Sequence, residues 1–180
     1  MEGFPERLEK GAERVAVLSL GEHDCELCPA DSRFAGNGEY RFYVPDGAVY
    51  AAPQMIFHYM RDHGYRPPVE FQRGLLDESP LTWDWRAERL SGALLDVSAD
   101  IDHRFGAVVD LAWWKCPESL EALELAALDD VLVDVGAEDV GWSLGEVLRE
   151  RPDLGLGVPR EELPPDVLAG MDTVLGGRTG

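Results

Sequence analysis

The sequence predicts an α+β fold in two parts. A small zinc-stapled β-hairpin and helix module over residues 1–78 is expected to pack against an acidic module of mixed helix and strand over residues 79–180. Three observations carry this. Cys25, Cys28, His58 and His63 form a C-x2-C … H-x4-H array, in which each close pair has the spacing that lets one local turn aim two donors at a single metal. Two short β-type runs flank Pro45-Asp46-Gly47 inside that array, where proline presets φ and glycine accepts positive φ, a turn signal. From residue 79 onward the chain becomes strongly acidic, with runs of helical and β-type character.

The first ten residues are polar and predict a short arm or frayed helix, after which Arg14 to Leu20 alternates and predicts a strand. Glu22 to Pro29 predicts a tight cysteine knuckle whose backbone N–H groups steady the thiolates. Ala30 to Gly38, rich in small and polar residues, predicts a loop. Tyr40–Val44 and Ala48–Ala51 then predict a hairpin. Pro53 suits the first turn of a helix running to His63, with Met55, Ile56, Tyr59 and Met60 at helical spacing and Gly64 as its stop. Five residues apart on a regular helix, His58 and His63 diverge by about 140°. The expectation is that the last turn loosens at Gly64 so that both reach one ion, closing a ββα or treble-clef-like unit. Ser79 followed by Pro80 predicts the start of a helix over residues 80–94. Gly106–Trp114, with β-branched and aromatic residues in a mostly apolar run, predicts a central strand. Helices are expected over Pro117–Val133, Ser143–Arg149 and Pro165–Leu175, and a mobile tail over Gly176–Gly180.

At 180 residues and 45% hydrophobic content the chain can bury one good core or two small ones. No apolar run approaches the roughly 20 residues that span a bilayer, and Val15–Leu20 is too short for a signal-peptide core. Two of the three cysteines stand in the metal-type pair, leaving Cys116 over, which does not suit a disulfide framework. A cytoplasmic location is expected. The net charge is −19, and residues 79–180 carry 21 acidic against eight basic side chains. Between Lys115 and Arg149 there are nine acids and no base. Such a face disfavours direct contact with nucleic acid, which needs basic groups for phosphates, and projects a field toward a basic protein partner. Glu118, Glu121, Glu124, Asp129, Asp130 and Asp134 are the residues expected to present it. An acidic surface that only maintains solubility is the alternative.

If the array binds zinc, all four positions are filled by protein, so no vacant place remains to activate water. Zinc is therefore expected in a folding role, its binding energy substituting for a larger core. Mixed cysteine and histidine ligation leans to zinc over iron. His23 is a candidate replacement ligand or neighbour of the metal shell, for which an exposed loop histidine is the plainer reading. His103, near Asp100 and Asp102, is a candidate acid–base group, against which stands that no serine, cysteine or second histidine at a telling spacing accompanies it. Cys116 reads as a buried structural thiol. The chain carries no phosphate-binding G-x-x-x-x-G-K-[ST] loop, G-x-S-x-G elbow or H-E-x-x-H helix. The function expected is a non-enzymatic zinc protein whose acidic face binds a basic partner, in the manner of an immunity protein or an acidic regulator. The alternative is a small metal-dependent enzyme with an open zinc site.

The segment from Cys25 to Phe71 resembles a family of uncharacterised small bacterial proteins. The resemblance lies in the C-x-x-C pair, Gly36-Asn37-Gly38-Glu39, Val49-Tyr50-Ala51-Ala52-Pro53, the pattern I-x-H-Y-x-x-x-H-x-Y from Ile56 to Tyr65, and P-P-x-x-F from Pro67 to Phe71. It covers about a quarter of the chain and every candidate ligand, and it implies a metal-shaped module with no activity attached.

Overall fold

The structure of the protein, a computed structural model, describes residues 3–29 and 33–176. Its order is α1 (Phe4–Gly11), β1 (Val17–Asp24), β2 (Ala35–Tyr43), β3 (Val49–Pro53), α2 (Ile56–His63), α3 (Val69–Leu76), α4 (Trp85–Leu95), α5 (Ile101–Leu111), α6 (Pro117–Ala127), α7 (Asp130–Glu150), a 3-10 turn (Arg160–Glu162) and α8 (Pro165–Gly176). The chain is α+β and divides into two compact units, Met1–Ser79 and Pro80–Gly180.

In the first unit, β1, β2 and β3 form an antiparallel sheet in that order. The β2–β3 hairpin turns through Gly47, whose φ of +94° is left-handed. Both neighbouring strands run longer than expected. β1 continues through the polar Glu22, His23 and Asp24, where hydropathy gives no signal but backbone pairing of His23 with Gly36 and Asp24 with Ala35 does the work. β2 begins at Ala35, inside the stretch expected to be a loop; residues 30–32 of that stretch lie outside the described residues. Its glycines serve packing. A Cβ on Gly38 would stand 2.5 Å from the Val15 side chain and one on Gly36 3.0 Å from Met55. Pro53 ends β3 instead of opening a helix, and β3 is an edge strand, where a missing N–H is tolerated. The unit's apolar centre is aromatic. Phe71 of α3 packs against Phe4 of α1, Phe42 of β2 and Tyr50 of β3, with ring centroids 5.7, 5.2 and 4.9 Å apart. That packing makes a true helix of the polar N-terminal arm, with Phe4 and Leu8 buried.

The described residues of the second unit form helices joined by turns and loops, with no strand, so the strand expected at Gly106–Trp114 is corrected to the second half of α5 and the turn after it. Ala107, Val108, Val109, Asp110 and Leu111 are all buried, and a short run buried on every side looks the same to hydropathy whether it coils or extends. The helix expected from Pro80 starts instead at Trp85. Asp84 caps it, accepting from the N–H groups of Arg86 and Ala87 at 2.9 and 3.3 Å. The Trp114 indole donates to the Thr82 carbonyl at 3.0 Å, within the stretch before the helix. The helix expected over Pro117–Val133 breaks at Leu128–Asp129, where Asp129 caps α7 through Val131 and Leu132. Ser143–Arg149 is part of that same α7, which kinks at Gly136. The expected tail lies outside the described residues from 177 onward. One apolar cluster built on Leu111, Leu123, Leu132, Leu144, Val167 and Met171 fills the unit. Its closest packing is α7 on α8, where an added Cβ would collide with the Val167 carbonyl at Gly141 and with the Glu138 carbonyl at Gly170.

Candidate metal centre

Four side chains from two segments meet in the first unit. Cys25 follows β1 directly, its N–H bonded to the Phe34 carbonyl at 2.8 Å, and the N–H of Cys28 turns back to the Cys25 carbonyl at 3.3 Å. That turn brings both sulfurs to one side. His58 and His63 come from α2, which stays helical through His63. The loosening of the last turn expected from the 140° divergence is therefore unnecessary. Helical side chains lean toward the N-terminus, so the His63 imidazole reaches back over the preceding turn. The chain reverses only at Gly64, whose φ of +66° closes the helix as its N–H returns to the Tyr59 carbonyl.

The donor atoms of Cys25, Cys28, His58 and His63 all lie within 4.8 Å of one another, close enough to share a metal ion. The His58 and His63 Nε2 atoms are 3.1 Å apart. Cys25 Sγ lies 3.3 Å from His63 Nε2, and Cys28 Sγ lies 3.3 Å from His58 Nε2 and 3.5 Å from His63 Nε2. A tetrahedron with metal–sulfur bonds of about 2.3 Å and metal–nitrogen bonds of about 2.0–2.1 Å has S–N edges of about 3.5 Å and N–N edges of about 3.3 Å. The donor spacing fits those edges. The two rings are nearly perpendicular, at 87°, so their lone pairs approach a common point from different directions.

Electrostatics and neighbouring groups prepare the same arrangement. Burial resists ionisation of Cys25, but hydrogen bonds with His58 and with the N–H groups of Leu27 and Cys28 outweigh it and bring the thiol down to about 7. Burial pushes the Cys28 thiol up, and the neighbouring Cys25 thiolate and Asp62 add to the rise. Two adjacent thiolates thus need a cation beside them to ionise together. Asp62 Oδ2 stands 2.7 Å from His58 Nδ1. The Arg61 guanidinium holds that carboxyl well below the usual range, with His58 adding to the effect. A carboxylate only accepts, so Nδ1 carries the proton toward Asp62, and in the neutral imidazole that a metal would bind this leaves the Nε2 lone pair facing the cluster. Phe34 stacks on the other side of His58 at 4.1 Å and 9°. Neither Asp62 nor Phe34 stood out in the sequence; the usable signal for Asp62 was its place four residues after His58 on a predicted helix.

The family described as a domain of unknown function (DUF7919) matches residues 1–76. That stretch contains all four donors and most of the first unit, and is under half of the chain. No curated protein and no solved structure matches.

Beside the cluster a cleft of about 380 Å³ is lined by residues that include His23, Asn37, Glu39, Gln54, Met55 and Tyr59, and none of the four donors. His23 thus lies outside the donor cluster, exposed on β1. His103 is exposed on α5, and Cys116 is half-buried at the N-cap of α6, its thiol raised by burial. The six acidic residues expected to form one open face divide. Glu118, Glu121, Asp130 and Asp134 are exposed. Glu124 is buried and accepts from the Gly157 N–H at 2.6 Å, and Asp129 accepts from Arg104 at 2.6 Å besides capping α7. Those two are committed internally because each satisfies backbone N–H groups at a helix end or loop, a role the sequence pattern does not distinguish from solvation. Among the described residues no helix is long and apolar enough to cross a membrane.

Proposed function

We propose that Cys25, Cys28, His58 and His63 hold one zinc ion as a structural staple of the first unit, and that the protein works by binding a basic partner protein through its acidic second unit. The observation that carries the first half is the donor spacing, all four atoms within 4.8 Å of one another and the His58–His63, Cys25–His63, Cys28–His58 and Cys28–His63 pairs at 3.1–3.5 Å, with His58 already oriented by Asp62. With four protein donors the ion has no vacant place for water, so its contribution is binding energy that folds the unit. The second half rests on charge: nine acids and no base between Lys115 and Arg149. An immunity-type inhibitor of a basic toxin, or an acidic regulator that covers a nucleic-acid-binding groove, is the class of activity this favours. The cytoplasm, where thiols stay reduced, suits such a site.

Elemental analysis with thermal melts tests the staple. One zinc per chain is expected in the wild type, lost together with stability in Cys25→Ser and in His63→Ala. Zinc retained in His63→Ala would overturn the four-donor assignment. That result would favour the competing reading, a small metal-dependent enzyme with an open zinc position, for which the adjoining cleft bearing His23, Glu39 and Tyr59 supplies room for a substrate.

A further inference from the structure

The second unit does not present its acids on an otherwise polar surface. At the corner where α6 passes into α7, four large aliphatic side chains stand out of the protein: Leu125 (49% exposed), Leu128 (45%), Val131 (56%) and Val135 (54%). Leu125 and Leu128 continue the line of Glu121 on one side of α6, at i, i+4 and i+7. Val131 and Val135 share one side of the first turns of α7, four residues apart. Single exposed aliphatics are ordinary, but four within eleven residues on one corner are not. Glu121, Asp130, Asp134 and Glu138 are exposed alongside them. The corner is also firmly built. Asp129 caps α7 and pairs with the buried Arg104, and Phe105 fills the space that a Cβ on Gly136 would need at the kink.

We infer that Leu125, Leu128, Val131 and Val135 are the apolar centre of a docking surface for a basic amphipathic segment of a partner protein, with Glu121, Asp130, Asp134 and Glu138 as its rim. The inference rests on the reading that the second unit binds a basic protein, and locates that binding. An apolar centre within a charged rim is the usual anatomy of a specific interface. Charge selects the occupant. A second copy would bring like-charged rims together on chains that each carry −19. Nucleic acid and anionic lipid headgroups are repelled by the same carboxylates. A segment with lysine or arginine beside leucine-type residues meets both parts.

The test is an NMR titration of the isotopically labelled full chain with a synthetic helical peptide carrying leucines at i, i+3, i+4 and i+7 and lysines elsewhere, compared with a shuffled peptide of the same composition. Saturable shifts concentrated over residues 121–138, at least tenfold weaker binding of the shuffled peptide, and a tenfold loss of affinity in Leu128→Ser and Val131→Ser are expected. Circular dichroism melts of these variants should match the wild type, since the side chains are half exposed. Equal binding of both peptides, or shifts centred elsewhere on the acidic unit, overturns the docking surface and leaves the basic-partner reading standing. Absence of any binding removes both. Self-association in sedimentation equilibrium that Val131→Ser abolishes would make the occupant a second copy and overturn the inference.

Discussion

His58 shows how much a single residue's neighbours decide. The C-x2-C and H-x4-H spacings were legible in the sequence because metal ligation demands particular residue types at short intervals. The group that orients His58 was not, because an aspartate on a helix ordinarily faces water. With Asp62 held ionised by Arg61 and 2.7 Å from Nδ1, Asp62→Ala is expected to lower zinc affinity about 10- to 100-fold while all four donors remain. Competition against a chromophoric chelator measures this; unchanged affinity would remove Asp62 from the site. Asp129 is a second such residue. Arg104 and the N–H groups of α7 hold its carboxyl below the ordinary range. Its contribution is therefore complete above the unfolded value of about 3.9 and is lost as pH falls through the lower folded value. Asn at this position keeps a cap acceptor but no charge, so Asp129→Asn is expected to cost about 1–3 kcal/mol at neutral pH. Urea midpoints of both proteins should converge in acid; a gap independent of pH would contradict the charged pair.

At the level of elements, the turns and stops were readable and the helix–strand choice within buried runs was not. Pro45-Asp46-Gly47 and Gly64 act through backbone conformations that only a few residues favour, and both stand where expected. Gly106–Trp114 failed for the opposite reason: Ala107 to Leu111 in α5 and Ala112 and Trp114 in the turn after it are all buried, which erases the periodicity that separates helix from strand. The Ser79-Pro80 signal lost to Asp84, in a stretch where the Trp114 indole bonds to Thr82. The α7–α8 contact was also hidden, since Gly141, Gly145 and Gly170 read as helix weakeners when they are contact points. At Gly141 a methyl would run into the backbone of α8, so it cannot be absorbed by a side-chain shift. Gly141→Ala is accordingly expected to destabilise the second unit by about 1–3 kcal/mol, despite alanine's better helix propensity. A thermal midpoint that rises in this variant would show that the two helices do not meet as described.

Across the whole molecule, the metal-type donors lie in the first unit and the larger share of the acidic excess in the second. The family match ends at residue 76, close to the boundary at Ser79, and the donors all fall before it. The second unit has its own apolar cluster and none of those donors. Chelation is expected to unfold the first unit and leave the helical signal of the second in place, visible as partial loss of ellipticity followed by a separate melt; a single cooperative loss would show that the units depend on each other. The α+β class and the acid asymmetry were legible because both are properties of composition and order. Which acids face outward was not, because Glu124 and Asp129 are spent on backbone N–H groups. The most direct test of the central claim is zinc K-edge X-ray absorption of the purified chain. Two sulfur scatterers at about 2.3 Å and two imidazole nitrogens at about 2.0–2.1 Å are predicted. A shell with a water oxygen in place of one protein donor, or a chain purified without zinc, would contradict it.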